Sequence, residues 1–478
     1  MQTLNKKNSY YFIGIGGAGM SALANILAAE GYKVAGSDLQ ATHITKELEK
    51  LGIQINYTQV TENITDDMVI IHTDAVSPEN LEYQEAIRRQ LKIYKRPELL
   101  SILEKTKEFS IAVSGAHGKT TTSSIVAYLL TETSLDPTCV IGGILPQWNS
   151  NARIGSGKCF VYEACEAFGN LIHYHPTHLI VTNIDKDHLE HFDNSYQKFK
   201  EYFVTYINRI AENKENFVLL NYDDAEIKNL MPNFSENVRF FSLEKSNLHD
   251  PRIIAQASNL QPIEGGTGFF LELFQSKKGI SVTIPLYGKH NVEDAVAALV
   301  MCSNFMAIEK LVIAIKNFQN SQRRFELVGK ISETKVYTDY AHLPAEVASV
   351  ILGAKQSVLG LAEARIIAVF QPHLPSRTKE NYTGFAKALL NADLALVTPV
   401  YCPAGREANE DLNIKSELIY NEMQRLLDSG EVKSNIESYK LIEDSALQAE
   451  LKNILRPNDL LLLIGAGTIG SWHKQLCD

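Results

Sequence analysis

Gly115-Ala116-His117-Gly118-Lys119-Thr120-Thr121-Thr122 is the densest cluster of chemistry-bearing residues in the chain. A strand-like run at 110–114 precedes it and a helix-forming run at 123–130 follows. A glycine turn between strand and helix offers backbone N–H groups to phosphate oxygens. A lysine there neutralises β/γ oxygens, and the next hydroxyl holds Mg²⁺. The segment is a variant of the usual phosphate loop, because Val113 stands where its first glycine is expected. The bland alternative is a lysine-capped turn. Two acidic clusters follow strand-like runs. Phe160-Val161-Tyr162 leads to Glu163 and Glu166, and residues 179–183 lead to Asp185, Asp187 and His188. Ligands of parallel α/β sheets gather at the carboxyl ends of strands. Mg²⁺ takes a few carboxylate oxygens besides phosphate, so Glu163 pairs naturally with Thr120. His188 is a softer ligand, and by itself reads as an exposed loop histidine.

Gly14-Ile15-Gly16-Gly17-Ala18-Gly19 lies between a strand-like run and a helix-like run ending at Ala29, with Ser37-Asp38 about twenty residues on. Glycines in that setting admit a diphosphate to a helix N-terminus, and an acid accepts from a ribose hydroxyl. A tight turn without ligand is the alternative, and the motif does not separate NAD from a UDP-sugar. Gly465-Ala466-Gly467-Thr468-Ile469-Gly470 repeats the pattern, but only eight residues follow it. It reads as a turn closing the last domain. Further polar islands occur at Tyr287-Gly288-Lys289-His290-Asn291, Arg323-Arg324-Phe325, Asp339-Tyr340-Ala341-His342 and Gln371-Pro372-His373 with Arg377.

These segments need a scaffold of strands and glycine turns. The chain has 478 residues, enough for about three domains. Short apolar runs alternate with amphipathic helical segments, which predicts α/β layers on parallel sheets. Boundaries fall near 108 and 322. Short alternating runs at 238–242, 268–274 and 280–284 predict a small antiparallel sheet inserted in the middle domain. With 45% apolar and 21% charged residues the composition is that of a globular protein. Lys plus Arg number 46 against 56 Asp plus Glu, a net charge of −10, which argues against nucleic-acid or anionic-membrane binding. No apolar run reaches spanning length. The six scattered cysteines include no CxxC pair, and a cytoplasmic setting is expected.

Taken together, in order and over nearly the whole length, these motifs resemble the Mur ligases, the ATP-dependent amide ligases of peptidoglycan precursor synthesis. The motifs are Gly14–Met20 with Ser37-Asp38, Gly115–Thr122, Val181-Thr182-Asn183-Ile184 with Asp187-His188, Gly288 with His290-Asn291, Arg323-Arg324-Phe325, Asp339–His342 with Pro344, Phe370–His373 with Arg377, and Gly465–Gly470. The Gly-Ile-Gly-Gly-Ala-Gly-Met opening is similar to the branch that adds L-alanine to the lactyl carboxylate of UDP-N-acetylmuramate. The resemblance implies a Rossmann-like UDP-sugar domain (1–108), a central P-loop ATPase (109–322) and a Rossmann-like amino-acid domain (323–478). It implies ATP and Mg²⁺ (or Mn²⁺) as cofactors, an acyl-phosphate intermediate, and a monomer or homodimer.

Carried over by motif, Gly14, Gly16, Gly17, Ala18, Gly19, Met20, Ser37 and Asp38 would bind the UDP-sugar. Gly115, Ala116, His117, Gly118, Lys119, Thr120 and Thr121 would bind ATP phosphates. Lys119, Glu163 and His188 would be catalytic, with Thr120 and Glu163 on one metal ion and His188 on a second. His290 and Asn291 would lie at the adenine, and Arg324 and Asp339 would reach ATP. Tyr340, His342 and Arg377 would line the amino-acid and carboxylate pocket. Cys165 stands where the family usually has Asp, Ala167 and Phe168 where it is often polar, and Leu343 where a second His is common. These departures leave open a different amino acid or a peptide as acceptor. An NAD-dependent oxidoreductase and a non-catalytic nucleotide-binding scaffold are the other readings.

Overall fold

The computed structural model describes residues 4–186, 189–244, 250–274, 276–403 and 413–477. Contacts divide it into two compact units. One holds 1–259, 269–282 and 293–319, and the other 260–268, 283–292 and 320–478.

The chain begins with a five-stranded parallel sheet. Its elements are β1 (Ser9–Ile13), α1 (Ala18–Ala29), β2 (Lys33–Ser37), α2 (His43–Lys50), β3 (Gln54–Asn56), β4 (Met68–His72), α3 (Leu81–Arg88), β5 (Lys92–Lys95) and α4 (Arg96–Glu104). The order β3-β2-β1-β4-β5 reverses direction beside β1, so the glycine turn after β1 stands at a topological switch point. The inner strands read as unbroken apolar runs because helices cover both faces: Tyr10, Tyr11, Phe12 and Ile13 are all buried.

The second sheet has ten strands. It is built from β6 (Phe109–Ser114), α5 (Lys119–Glu132), β7 (Thr138–Leu145), β8 (Ser150–Arg153), β9 (Cys159–Glu163), β10 (His178–Val181), α6 (Tyr196–Ala211), β11 (Phe217–Asn221), α7 (Ala225–Leu230), β12 (Val238–Ser242), β13 (Ile253–Ile263), β14 (Gly266–Leu273) and β15 (Lys278–Ile284). Helices α8 (Lys289–Cys302) and α9 (Ile308–Ile315) follow. The strand order is β15-β14-β13-β12-β11-β10-β6-β9-β7-β8. Strands β7, β9, β6, β10, β11, β12 and β13 pair in parallel, and β8 returns antiparallel on β7. The separate antiparallel sheet expected at 238–284 is instead an extension of this one. Residues 238–242 pair in parallel with β11, and the unexpected eleven-residue β13 joins them to β14 and β15.

The last sheet has the order β16-β17-β21-β18-β19-β20. Its elements are β16 (Glu326–Ile331), β17 (Thr334–Asp339), α10 (Pro344–Ser357), β18 (Ile366–Phe370), α11 (Pro375–Leu389), β19 (Leu394–Val397), α12 (Glu417–Asp428), β20 (Ser438–Leu441), α13 (Asp444–Ile454) and β21 (Leu460–Ile464). Only β16 is antiparallel, and the central β21 and β18 are wholly apolar and buried. Just before these two strands, the Arg365 guanidinium meets the Asp459 carboxylate in two bonds of 3.0 and 2.7 Å, with both side chains buried. Among the described residues no helix is long and apolar enough to cross a membrane.

Removing one member of a buried pair strands the other's charge. Arg365→Ala should therefore cost about 3–5 kcal/mol, read as a lower urea midpoint of unfolding. A loss under about 1 kcal/mol would show that Asp459 finds other partners.

Candidate functional site

The loop between β6 and α5 is shaped by its neighbours. Gly115 (φ +126°) and Gly118 (φ +79°) adopt conformations that disfavour a side chain. A Cβ on Gly115 would lie 2.2 Å from Thr182 Oγ1, and one on Gly118 would lie 2.5 Å from Asp294 Oδ1. The segment after β10 grips the loop. Asn183 Oδ1 accepts from the His117 amide (2.8 Å), while Asn183 Nδ2 (3.0 Å) and Thr182 Oγ1 (2.6 Å) donate to the His117 carbonyl. Asp185 Oδ2 stands 3.1 Å from His117 Nε2, and this contact holds the Asp185 carboxyl below its ordinary range. Asp294, one helical turn beyond His290, accepts from Thr122 Oγ1 at 2.8 Å. Spacing along α8 could have flagged Asp294, but only the fold shows that it backs the loop.

Lys119 and Thr120 each meet an acid of the β9 turn. Lys119 Nζ donates to both oxygens of the fully buried Glu166 (3.0 and 3.1 Å), to the Ala116 carbonyl (3.1 Å) and to the Gly115 carbonyl. Burial opposes the ammonium charge, but Glu166, Cys165 and Glu163 outweigh it and raise the Lys119 pKa. Glu163, at the end of β9, accepts from Thr120 Oγ1 (3.3 Å), Ser123 Oγ (2.9 Å) and the Gly142 amide (2.5 Å). A hydroxyl and a carboxylate form a hard oxygen pair suited to Mg²⁺. Gly142 leaves space beside them, since a Cβ there would come within 2.7 Å of both Thr120 Oγ1 and Glu163 Oε2. His188 and Asp187 lie outside the described residues. Thr121 is buried under the loop, and Cys165 is a free thiol whose pKa burial pushes up.

The first glycine turn is arranged differently. Asp38 Oδ2 accepts from the Gly16 amide at 2.9 Å, so a carboxylate already occupies one of the turn's donors. Ser37 is buried and donates to Glu82 Oε2, a buried carboxylate that also accepts from Tyr11 and Asn63. Met20 is buried in the core. The side chains of Ser37 and Met20 therefore support the turn from behind. Gly14 (φ +78°) turns the chain and Gly17 is the N-cap of α1. Asn151 Nδ2 of β8 donates to the Ala18 carbonyl at 2.7 Å. On the open side, a Cβ on Gly19 would stand 3.1 Å from Arg96 Nη1. Arg96 forms no side-chain hydrogen bond or ion pair among the described residues, and its charge also reaches Cys165 and Tyr174. No local signal in the sequence marks it.

The other unit collects a second set. His290 feels the Arg324 charge, and burial pushes its pKa down to about 4. Asn291 Nδ2 donates to the Tyr287 carbonyl (2.6 Å), and Gln356 Oε1 accepts from the Gly288 amide (2.9 Å). Asp339, at the end of β17, accepts from the Phe325 (2.8 Å) and Ala341 (2.7 Å) amides. Burial pushes its carboxyl up to about 6 against the pull of Arg324. Arg323 and Arg324 lie over the Tyr340 ring at 4.8 and 5.7 Å. His342 stacks edge-on against Tyr340, and Arg377 Nη1 lies 3.4 Å from His373 Nδ1. The Gly465–Gly470 turn after β21 receives Arg323, whose Nη2 donates to the Gly465 (2.5 Å) and Gly467 (3.2 Å) carbonyls. Gln371 Oε1 accepts from the Ile469 amide (3.0 Å).

Three family models match this chain in sequence order. "Mur ligase family, catalytic domain" matches 9–108, "Mur ligase middle domain" 113–302, and "Mur ligase, glutamate ligase domain" 323–467. A UDP-N-acetylmuramate–L-alanine ligase of Aquifex aeolicus is 34% identical over 470 residues, covering 98% of this chain and 96% of the relative. The chain belongs to the Mur ligase family. Another ligase of that name, from Geobacter sulfurreducens, is also 34% identical, over 97% of this Mur ligase and 96% of its own length. Among solved structures, the UDP-N-acetylmuramate–alanine ligase of Thermotoga maritima superposes with a TM-score of 0.77 at 26% identity, covering 98% of each chain. A murein peptide ligase of Psychrobacter arcticus shares the fold, with a TM-score of 0.68 at 21% identity and 98% coverage of each.

Two predictions test the geometry. Gly142→Ala fills the space beside Thr120 and Glu163. It should raise the Mg²⁺ concentration for half-maximal ATP turnover about tenfold, and an unchanged requirement would place the metal elsewhere. Asp339 concerns pH. A carboxyl whose folded pKa exceeds its unfolded value stabilises the fold most when protonated, and that advantage fades as pH rises towards the folded value. Relative to Asp339→Asn, the wild type should lose about 2 kcal/mol between pH 4 and 6.5, seen as a Tm that falls relative to the variant's as pH rises. A flat difference would mean that Asp339 ionises normally.

Proposed function

We propose that this Mur ligase joins L-alanine to the lactyl carboxylate of UDP-N-acetylmuramate, converting ATP to ADP and phosphate through an acyl phosphate. The observation that carries this reading is the 34% identity, over nearly its whole length, to ligases named for that reaction. The site geometry supports it. A carboxylate is a poor electrophile, and phosphorylation gives it a leaving group. The loop amides and Lys119 receive the ATP phosphates, and Lys119 offsets charge gathering on the transferred group. Thr120 and Glu163 would hold Mg²⁺, which supplies the remaining neutralisation of phosphate charge. His188 is proposed for a second metal site.

The turn after β1 takes the UDP-sugar. Gly17, Ala18 and Gly19 present the N-terminus of α1, and Asp38 fixes the shape of the turn. His290 and Asn291 take the adenine side, Arg324 and Asp339 reach ATP, and Tyr340, His342 and Arg377 receive the amino acid. The work is then divided among UDP-sugar (1–108), ATP (109–322) and amino-acid (323–478) domains, and catalysis is mainly alignment of three substrates. Nothing beyond the glycine pattern supports an oxidoreductase.

A phosphate-release assay with UDP-N-acetylmuramate, ATP and a panel of amino acids and short peptides tests the reading. Release is expected with L-alanine. Release with a peptide but no single amino acid would make this a peptide-joining enzyme, and no release with any acceptor would overturn both.

A further inference from the structure

Lys119 has three N–H groups, and the protein satisfies all of them: both oxygens of Glu166 and the carbonyls of Gly115 and Ala116 surround its ammonium. To reach a phosphate, the lysine must give up one of these acceptors. The choices are unequal. The two carbonyls are neutral and belong to the loop that receives the phosphates. The Glu166 carboxylate is charged and fully buried, and Lys119 is its only hydrogen-bond partner among the described residues. Leaving it would strand a bare charge in the interior, the costliest of the possible exchanges.

Glu166 is also fixed from behind. It opens the short 3₁₀ segment Ala167–His173, in which Phe168 and Gly169 both have positive φ. Tyr202 donates to the Gly169 carbonyl, and its hydroxyl also accepts from the Ile172 amide at 3.0 Å. Asn170 Nδ2 reaches Asp74 at 3.4 Å, and Asp74 pairs with Lys95 at 2.6 Å. A carboxylate anchored in this way is a pivot rather than a counter-ion that moves aside. Cys165, next to it, adds no second carboxylate to the turn.

We propose that Glu166 is a positioning residue for Lys119: it keeps hold of the ammonium while phosphate oxygens replace the loop carbonyls, and so aims the lysine at the β/γ end of the nucleotide. This rests on the ATP-dependent reading above and assigns that site a part the family motifs do not. It also sets a sign. A retained pivot helps the triphosphate, whereas a carboxylate that must be displaced competes with it.

Glu166→Gln separates the two in the full-length enzyme, with binding of AMP and of the non-hydrolysable analogue AMPPNP measured by calorimetry. AMPPNP should bind about tenfold more weakly and kcat should fall at least as far, with AMP affinity unchanged because AMP lacks the phosphates Lys119 reaches. Glu166→Asp keeps the charge but withdraws it by one methylene. It should show a smaller loss confined to AMPPNP, and it carries the measurement if the Gln variant does not fold. Tighter AMPPNP binding would make Glu166 a competitor, unchanged binding would remove its role, and equal losses for AMP and AMPPNP would make it a packing residue. Each of these overturns the assignment. Absence of phosphate release by the wild type would instead sink the ligase reading and leave the AMP and AMPPNP comparison standing.

Discussion

A glycine-rich loop has few side chains with which to hold its own shape, so its amides point usefully only if neighbouring elements hold the backbone. Here the main grip is the three-bond clamp of Thr182 and Asn183 on the amide and carbonyl of His117. It works because β10 pairs in parallel with β6, bringing the carboxyl ends of both strands level. Asp294 closes the other side. With the backbone held, Lys119 and Thr120 project from the first turn of α5 towards the acids that follow β9, the next strand over on the opposite flank of β6. Sheet order thus puts a hydroxyl, an ammonium and two carboxylates within bonding distance.

The local features were legible in the sequence. Residues 460–464 match β21, α1 ends at Ala29, and the glycine turns after β1 and β6 each sit between a strand and a helix. Such features are written in consecutive residues: an apolar run, then a glycine, then a helix former. The strand β13 was not legible, because Gln256, Ser258, Asn259 and Gln261 interrupt its apolar pattern, although Gln256 and Ser258 are buried. The parallel pairing of β12 with β11 is a long-range choice that no turn residue announces.

At the site the same division holds. Lys119, Thr120 and Glu163 follow from motif and spacing. The closeness of Arg96 to Gly19, and of Asp294 to Gly118, arises where distant segments pack together, and neither is encoded in local periodicity. Residue type also does not tell a contact from a support. Ser37 and Asp38 are adjacent and both polar, yet one is sealed against Glu82 and the other bonds the turn itself.

The two segments that spell G-x-G-x-x-G carry opposite polarity. After β1 the Gly16 amide faces an acid. After β21 the carbonyl oxygens of Gly465 and Gly467 face the Arg323 guanidinium. The closing segment is thus a receptor for positive charge that its own chain has already filled, and an incoming diphosphate would meet lone pairs there. Identical spelling has produced an anode in one place and a cathode in the other, and only the partner each turn faces reveals which is which.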